Sequence, residues 1–217
     1  MQWTVIIPVK SLPQAKTRLA SSLTDAALHE TLVRAIRADT IAAAQDADGV
    51  ARILVVLDTV DALDGATDAH LHEDVPQTCE LMVQVEPGLN ASLREAADHA
   101  AARWPGDGIA ALVGDLPALQ PHELGSALAA AASTPTAFVA DADGVGTTLL
   151  TALPGAAFAP EFGAESAVRH ARVAAPVAAA PGLRQDVDTE ADLRRAVDLG
   201  VGPRTRAAAA TVILCSR

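Results

Sequence analysis

Aromatic side chains, cysteines and positive charges are scarce in this chain of 217 residues. Aromatic residues make up only 2% of the sequence, so the core must consist of aliphatic side chains and closely packed alanines. The two cysteines, Cys79 and Cys215, have no metal-binding or redox spacing, which is typical of reduced thiols in a cytosolic protein. The formal net charge of −11 argues against nucleic acid as the main partner.

Long apolar runs and glycine-rich phosphate loops are also missing. No apolar stretch approaches the roughly 18–20 residues that a membrane span needs, which argues against a membrane partner. The N-terminus lacks the basic-then-apolar layout of a signal peptide, so we expect a soluble cytoplasmic protein. Neither a Walker loop nor a G-x-G-x-x-G fingerprint is present. The length suits one domain over residues 1–217.

The apolar run 109–113, followed by Gly114 and Asp115, predicts a buried parallel strand that stops at a carboxylate. Ligands of open α/β sheets bind just beyond the carboxyl ends of the strands, where a metal ion or phosphate would meet Asp115. Pro117 fixes φ and turns the chain sharply. An ordinary turn or helix-capping aspartate is the alternative, and the strand pattern alone does not decide between them.

A dense basic cluster follows the first predicted strand, Trp3 to Val9. Lys10, Lys16 and Arg18 lie within nine residues of one another in a chain that is otherwise acidic. Lysine as a point charge and arginine as a bidentate fork form a plausible grip for phosphate groups. A solvated basic loop is the alternative.

Short apolar runs alternate with amphipathic stretches through the remaining sequence. Further strands are predicted at residues 52–57, 81–85, 136–140, 173–177 and 211–214. Helices are predicted at about residues 24–44, 90–103, 122–132 and 189–199, and residues 161–170 are predicted to be a loop that enters a helix.

Polar residues occupy the turn that follows the third predicted strand. Gly88 permits a close backbone approach, and Asn90 is suited to cap the next helix. Capping accounts for Asn90 without any function. A base or ribose contact from Gly88 to Ser92 is the alternative.

Three later segments carry residues suited to anions or metals. Two glycines and two threonines in residues 141–150 suit a nest of backbone amides and hydroxyls, with a turn between strands as the alternative. Gly163 and the amides up to Ser166 would lie at a helix N-terminus, a natural phosphate seat. Either Asp188 or Thr189 starts the helix that follows, so Asp188 alone is readily explained as an N-cap.

Five motifs occur in an order that resembles a known family. They are P-V-K-S-L-x-x-A-K-T-R-L, G-D-L-P, D-G-V-G-T-T, F-G-x-x-S-x-x-x-H and D-V-D-T-x-x-D-L. The chain resembles the guanylyltransferases of coenzyme F-420 biosynthesis, which join GTP to 2-phospho-L-lactate in archaea or to phosphoenolpyruvate in actinobacteria. The likeness implies an α/β fold of the Rossmann-like, GT-A-like nucleotidyltransferase type. Such a fold has a central mixed, mostly parallel sheet with helices on both faces.

The resemblance also implies roles for particular residues. Asp115 and Asp188 match the aspartates that hold a divalent metal, here expected to be Mg²⁺, and the phosphoenolpyruvate contacts match Thr148, Gly163 and Ser166. We expect the GTP triphosphate to lie along the basic loop, with Lys10, Lys16 and Arg18 as catalytic cations. Further nucleotide contacts are expected from Gly88, Asn90 and Ser92. Thr148 departs from many archaeal members, which carry asparagine at that position.

The expected activity is transfer of GMP from GTP to phosphoenolpyruvate. The alanine-rich composition is typical of actinobacteria, which favours this acceptor over 2-phospho-L-lactate or 3-phosphoglycerate. A labile diphosphate product would pass directly to the next enzyme of the pathway. Two alternatives remain: a nucleotidyltransferase acting on molybdopterin or a sugar phosphate, and a catalytically silent nucleotide-binding module. Enzymes of the first kind usually open with a glycine-rich L-A-G-G-type loop, which this chain lacks.

Overall fold

A seven-stranded sheet organises the part of the chain that the structure describes. The computed structural model describes residues 1–9, 26–58 and 75–215, with side chains as far as residue 211. The strands are β1 (Trp3–Val9), β2 (Val50–Leu57), β3 (Glu80–Val83), β4 (Gly108–Leu112), β5 (Thr136–Ala140), β6 (Thr147–Ala152) and β7 (Ala175–Pro176). The predictions for β1 to β5 are therefore confirmed to within two residues at each end.

The strand order is β3-β2-β1-β4-β6-β5-β7. Strands β1 to β4 run parallel, whereas β6 is antiparallel to both β4 and β5. The predicted mixed, mostly parallel sheet is confirmed. Because β2 and β4 lie on opposite sides of β1, a crevice opens beyond the carboxyl ends of β1 and β4. The antiparallel β6 begins at this same edge, since Leu149 pairs with Leu112 at the end of β4.

Helices cover both faces of the sheet, as expected for this fold class. They are α1 (Ala26–Gln45), α2 (Leu89–Arg103), α3 (Pro121–Ala131), α4 (Ser166–His170), α5 (Pro181–Arg184), α6 (Glu190–Leu199) and α7 (Pro203–Cys215). Helix α2 packs on one face, and α1 and α3 pack on the other. Helix α7 lies against α1, outside the layer that contacts the sheet.

The core is aliphatic on both sides of the central strands. Val5 and Ile7 of β1 face the α1 and α3 layer, whereas Ile6 faces α2. This alternation is the two-residue period of a strand, and both faces are apolar because both are covered. Burying each such side chain contributes about 1.5–3 kcal/mol. The continuous apolar runs in the sequence follow from this double coverage.

The C-terminal segment differs from its prediction. Residues 211–214 were expected to form an edge strand, but they belong to helix α7. The buried Asp39 carboxylate on α1 accepts the N–H groups of Arg204 (3.3 Å) and Thr205 (2.7 Å) at the start of α7. This cap and the packing against α1 outweigh the β propensity of the last residues.

One further expectation changes at the edge of the sheet. The strand predicted at residues 173–177 is only the two-residue β7. The sequence also predicts Thr24 or Ser22 as the cap of the first helix and Asp25 in its first turn, and these three residues lie outside the described residues. Among the described helices, none combines the length and apolar character that crossing a membrane requires.

Candidate active site

Asp115 lies just beyond the end of β4, at the crevice between β1 and β4. The turn around it is held from α1, because the buried Thr40 hydroxyl accepts the N–H of Leu116 at 3.0 Å. The next helix, α3, has Gln120 at its N-cap. Asp115 is therefore not a helix cap, and the capping alternative for it is excluded.

Asp188 lies beside the Asp115 turn although the two are far apart in sequence. The N–H of Val187 donates to the carbonyl oxygen of Asp115 at 3.2 Å, which brings Asp188 to the same edge of the sheet. Thr189, not Asp188, caps α6: its hydroxyl accepts the N–H of Asp192, whose carboxylate accepts the N–H of Thr189 at 2.7 Å. The exposed Asp188 carboxylate is thus not needed to start the helix.

Two carboxylates from neighbouring segments fit a hard divalent cation. Asp115 and Asp188 supply only oxygen donors, the type that Mg²⁺ prefers. Across the described ranges, no group of three or more His, Cys, Asp or Glu side chains forms a closed metal cage. Mg²⁺ usually keeps several waters and is shared with substrate phosphates, so a site with two carboxylates suits it.

Thr148 reaches the same edge from the antiparallel strand β6. Its carbonyl oxygen accepts the N–H of Val113 at 3.0 Å, two residues before Asp115. The Thr148 hydroxyl is buried and has no hydrogen-bond partner among the described residues. An unsatisfied buried hydroxyl costs about 1–3 kcal/mol, so this oxygen is suited to a bound polar ligand.

The 161–166 loop lies next to the start of β6. The N–H of Ala167 donates to the carbonyl of Val145 at 3.0 Å. Gly163 adopts a φ of +122°, which other residues rarely reach, and Ser166 is buried. The N–H of Ser166 already donates to the Gly163 carbonyl at 3.1 Å. The expected phosphate seat of free amides is therefore not formed at Ser166, and its hydroxyl is the remaining donor.

The expected anion nest in residues 141–150 is also wrong. The Asp141 carboxylate accepts the N–H groups of Val145 (2.9 Å) and Gly146 (2.6 Å). These amides are satisfied by the loop's own acid, which would repel a second anion. Residues 141–146 form the turn between β5 and β6, which was the alternative interpretation of this segment.

A cavity of about 270 Å³ lies beyond the carboxyl ends of β1 and β2. Gly88 and Ser92 line it, together with Asp58 and Gln84. The Gln84 side-chain amide donates to the Asp58 carbonyl at 3.0 Å. Sequence reasoning did not assign Asp58 and Gln84 to a site, although both follow strands directly and the rule that led to Asp115 applies to them.

The Asn90 side chain does not cap helix α2, whereas its expected nucleotide contact stays a prediction. Helix α2 begins at Leu89 with Gly88 at its N-cap and no side-chain cap. The Asn90 side chain instead binds the backbone of Phe162: its oxygen accepts the Phe162 N–H (2.8 Å) and its nitrogen donates to the Phe162 carbonyl (3.0 Å). The capping prediction is wrong because a residue remote in sequence uses both ends of the amide.

A buried histidine joins the 161–166 loop to β6. His170 Nε2 accepts the N–H of Glu161 at 2.9 Å, and its Nδ1 lies 2.8 Å from the Thr147 hydroxyl. Burial lowers the pKa of His170 below its ordinary value because it disfavours the charged ring, although Glu161 opposes this shift. The imidazole is therefore neutral at physiological pH.

The basic cluster Lys10, Lys16 and Arg18 lies outside the described residues. It follows β1 directly in the sequence, and β1 ends beside β4 at the crevice. The phosphate-binding role of these cations stays a prediction.

Solved structures of related shape share the fold. A Desulfovibrio desulfuricans protein described as a nucleotide-diphospho-sugar transferase aligns with a TM-score of 0.65 and 16% identity over 87% of this chain and 84% of its own. The Mycobacterium tuberculosis protein Rv0371c, in a complex with manganese, aligns with a TM-score of 0.56 and 20% identity over 91% of this chain and 98% of its own. At these identities the similarity supports the nucleotidyltransferase fold alone.

Sequence relatives are much closer. The phosphoenolpyruvate guanylyltransferase of Streptomyces coelicolor is 46% identical over 222 aligned residues, which cover 100% of both chains. The model of the family described as "Guanylyl transferase CofC like" matches residues 3–202, nearly the whole chain. The chain therefore belongs to the CofC-like family of guanylyltransferases.

Proposed function

We propose that this protein transfers GMP from GTP to phosphoenolpyruvate, forming enolpyruvyl-diphospho-guanosine and pyrophosphate in coenzyme F-420 biosynthesis. The observation that carries the proposal is the meeting of the Asp115 turn with the Val187–Asp188 segment beyond the ends of β1 and β4. Family membership and the phosphoenolpyruvate guanylyltransferase relative support the same reaction. In this proposal residues 1–217 form one cytoplasmic nucleotidyltransferase domain.

Asp115 and Asp188 would hold Mg²⁺ through their carboxylate oxygens. When bound, the ion would neutralise phosphate charge and help to orient the two substrates. The manganese in the Rv0371c complex supports a divalent cation in a protein of this fold. Helix capping accounts for neither carboxylate, because Gln120 lies at the N-cap of α3 and Thr189 caps α6.

Thr148, Gly163 and Ser166 would bind the acceptor. The Thr148 hydroxyl would gain the partner that it lacks among the described residues. Gly163 has no side chain to cover its backbone N–H, and its positive φ favours glycine at this position. The contact between Ala167 and Val145 holds these residues near one another, so a single small phosphorylated acid would reach all three.

Gly88 and Ser92 would bind the nucleoside of GTP in the cavity at the ends of β1 and β2. Its volume of about 270 Å³ is near the lower limit for ligand pockets, which suits one part of a nucleotide. Asn90 would act indirectly, through Phe162, because both ends of its amide are already used.

The chemistry needs charge neutralisation rather than a general base. A phosphate monoester is largely dianionic near neutral pH, so the acceptor oxygen is already a nucleophile. This oxygen attacks the α-phosphorus of GTP, the bond between that phosphorus and the bridging oxygen breaks, and pyrophosphate leaves with the electron pair. Lys16 and Arg18 would offset the charge on the departing pyrophosphate, and Lys10 would contact the α-phosphate.

Pyrophosphate release with GTP and each of three acids tests the proposal. We expect the fastest release with phosphoenolpyruvate, slower release with 2-phospho-L-lactate or 3-phosphoglycerate, and none with Asp115→Asn. Faster pyrophosphate release with another acid would identify that acid, and not phosphoenolpyruvate, as the acceptor. GTP binding without release from any acid would instead identify a silent nucleotide-binding module.

A further inference from the structure

The backbone of two consecutive residues in the 161–166 loop is held by side chains from outside the loop. His170 accepts the N–H of Glu161 at 2.9 Å, and Asn90 binds both backbone groups of Phe162. These three hydrogen bonds fix the chain immediately before Gly163. The position of the loop is thus set by α4 and α2 and not by the loop sequence itself.

His170 also reaches the strand that carries Thr148. Its Nε2 accepts a hydrogen bond from the Glu161 N–H, so in the neutral ring Nδ1 carries the hydrogen and donates a hydrogen bond to the Thr147 hydroxyl at 2.8 Å. One imidazole therefore links the residue before Thr148 to the segment before Gly163. These are the two halves of the proposed acceptor site.

The surroundings keep this imidazole in a single state. The ring is fully buried, with Phe162 at 5.1 Å and Phe138 at 6.2 Å between ring centroids. The charged groups that face it are Glu161 and Arg169. They pair with each other, since the Arg169 guanidinium lies 3.6 Å from the Glu161 carboxylate. A proton on Nε2 would break the bond to the Glu161 N–H.

We propose that His170 is a positioning residue for the acceptor: its neutral ring sets the spacing between Thr148 and the Gly163–Ser166 segment. This inference rests on the proposed function, because it concerns the same acceptor site. His170 touches no substrate in this assignment. It acts through the Glu161 backbone on one side and the Thr147 hydroxyl on the other.

Loss of the two imidazole hydrogen bonds should therefore weaken acceptor binding more than GTP binding. A shift of about 1 Å in a substrate-positioning segment can cost on the order of 100-fold in rate. The proposed nucleotide cavity is lined by Gly88, Ser92 and the ends of β1 and β2. The hydrogen bonds and ring contacts of His170 are with other residues: Thr147, Glu161, Phe138 and Phe162. The KM for the acceptor should thus rise while the KM for GTP stays nearly unchanged.

The experiment measures both KM values for His170→Phe, His170→Gln and the control His122→Gln. The phenylalanine keeps an aromatic ring but removes both hydrogen bonds, whereas the glutamine oxygen can still accept the Glu161 N–H. We expect His170→Phe to raise the acceptor KM by about tenfold or more and to leave the GTP KM within about twofold. His170→Gln should recover most of the loss. The exposed His122 on α3 should have no effect when changed.

Thr147→Val provides a second route if His170→Phe does not fold. It keeps the side-chain shape, removes the hydroxyl that His170 contacts, and should also raise the acceptor KM. An unchanged acceptor KM in folded His170→Phe, or in Thr147→Val if the phenylalanine variant does not fold, would overturn the positioning role while leaving the proposed function intact. A wild-type protein that transfers no GMP to phosphoenolpyruvate would overturn both.

Discussion

Asn90 joins helix α2 to the 161–166 loop, and Asn90→Ala removes that connection. Both backbone groups of Phe162 would lose their partner, and Phe162 is only 8% exposed, so water replaces the bonds poorly. Each unsatisfied group costs about 1–3 kcal/mol. Alanine returns at most about 0.7 kcal/mol through its higher helix propensity. The lost hydrogen bonds dominate, and we expect a net destabilisation of about 2–5 kcal/mol.

Thermal unfolding followed by circular dichroism measures this effect. A chain of this size loses about 2–4 °C in Tm per kcal/mol, so Asn90→Ala should lower the Tm by roughly 5–15 °C. Asp98→Ala is the matched control, because it gives the same helix the same kind of propensity gain at an exposed position. Asn90→Asp keeps an acceptor for the Phe162 N–H but loses the donor to its carbonyl, so its Tm should be intermediate.

One result would refute the reasoning about Asn90. If Asn90→Ala unfolded within about 1 °C of the wild type while its KM for GTP rose about tenfold, Asn90 would be a direct nucleotide contact. The original prediction from sequence would then be right, and the contact with Phe162 would contribute little to stability.

Three further predictions concern stability and metal use. His170 has a lower pKa in the folded protein than its ordinary value of 6.5 in the unfolded chain. At pH values between these two pKa values the unfolded chain binds more protons than the folded protein, so the free energy of unfolding should fall as the pH drops below about 6.5. Urea titrations at several pH values should show a smaller fall in the free energy of unfolding for His170→Gln than for the wild type. Gly182→Ala should lower the Tm clearly more than Gly106→Ala, because a Cβ on Gly182 would overlap the backbone carbonyl oxygen of Ala118, whereas a Cβ on Gly106 would meet open space. Asp188→Asn should abolish metal-dependent pyrophosphate release with little change in Tm, whereas Thr189→Ala should lower the free energy of unfolding by about 1 kcal/mol in denaturant titrations. A large loss of stability in Asp188→Asn with none in Thr189→Ala would contradict the assignment of Thr189 as the helix cap.

The central strands could be predicted because their environment leaves a local signal. Strands β1, β2 and β4 are covered on both faces, which requires continuous apolar runs. Strand β6 carries no such signal, since three of its six residues are threonines. All six are buried, and hydroxyls such as that of Thr151, which donates to the Ala137 carbonyl at 3.2 Å, find partners only in the folded sheet. The sequence therefore suggested a loop there.

The C-terminal helix shows how tertiary contacts override a local preference. Residues 211–214 contain a β-branched run that favours a strand. The N-terminus of α7 is fixed by Asp39, which lies more than a hundred residues earlier in the chain. The residues around the start of α7 therefore give no sequence pattern from which this cap could be predicted.

By itself the sequence determined the strands of the sheet and the carboxylates that follow them, because burial and strand ends leave their signal within a few neighbouring residues. Only the tertiary structure decided which remote segments meet. It places Val187 against Asp115, Asn90 against Phe162 and His170 against Thr147. Each of these hydrogen bonds joins residues that no short sequence pattern connects, so the geometry of the proposed acceptor site arises only when the sheet and its helices pack together.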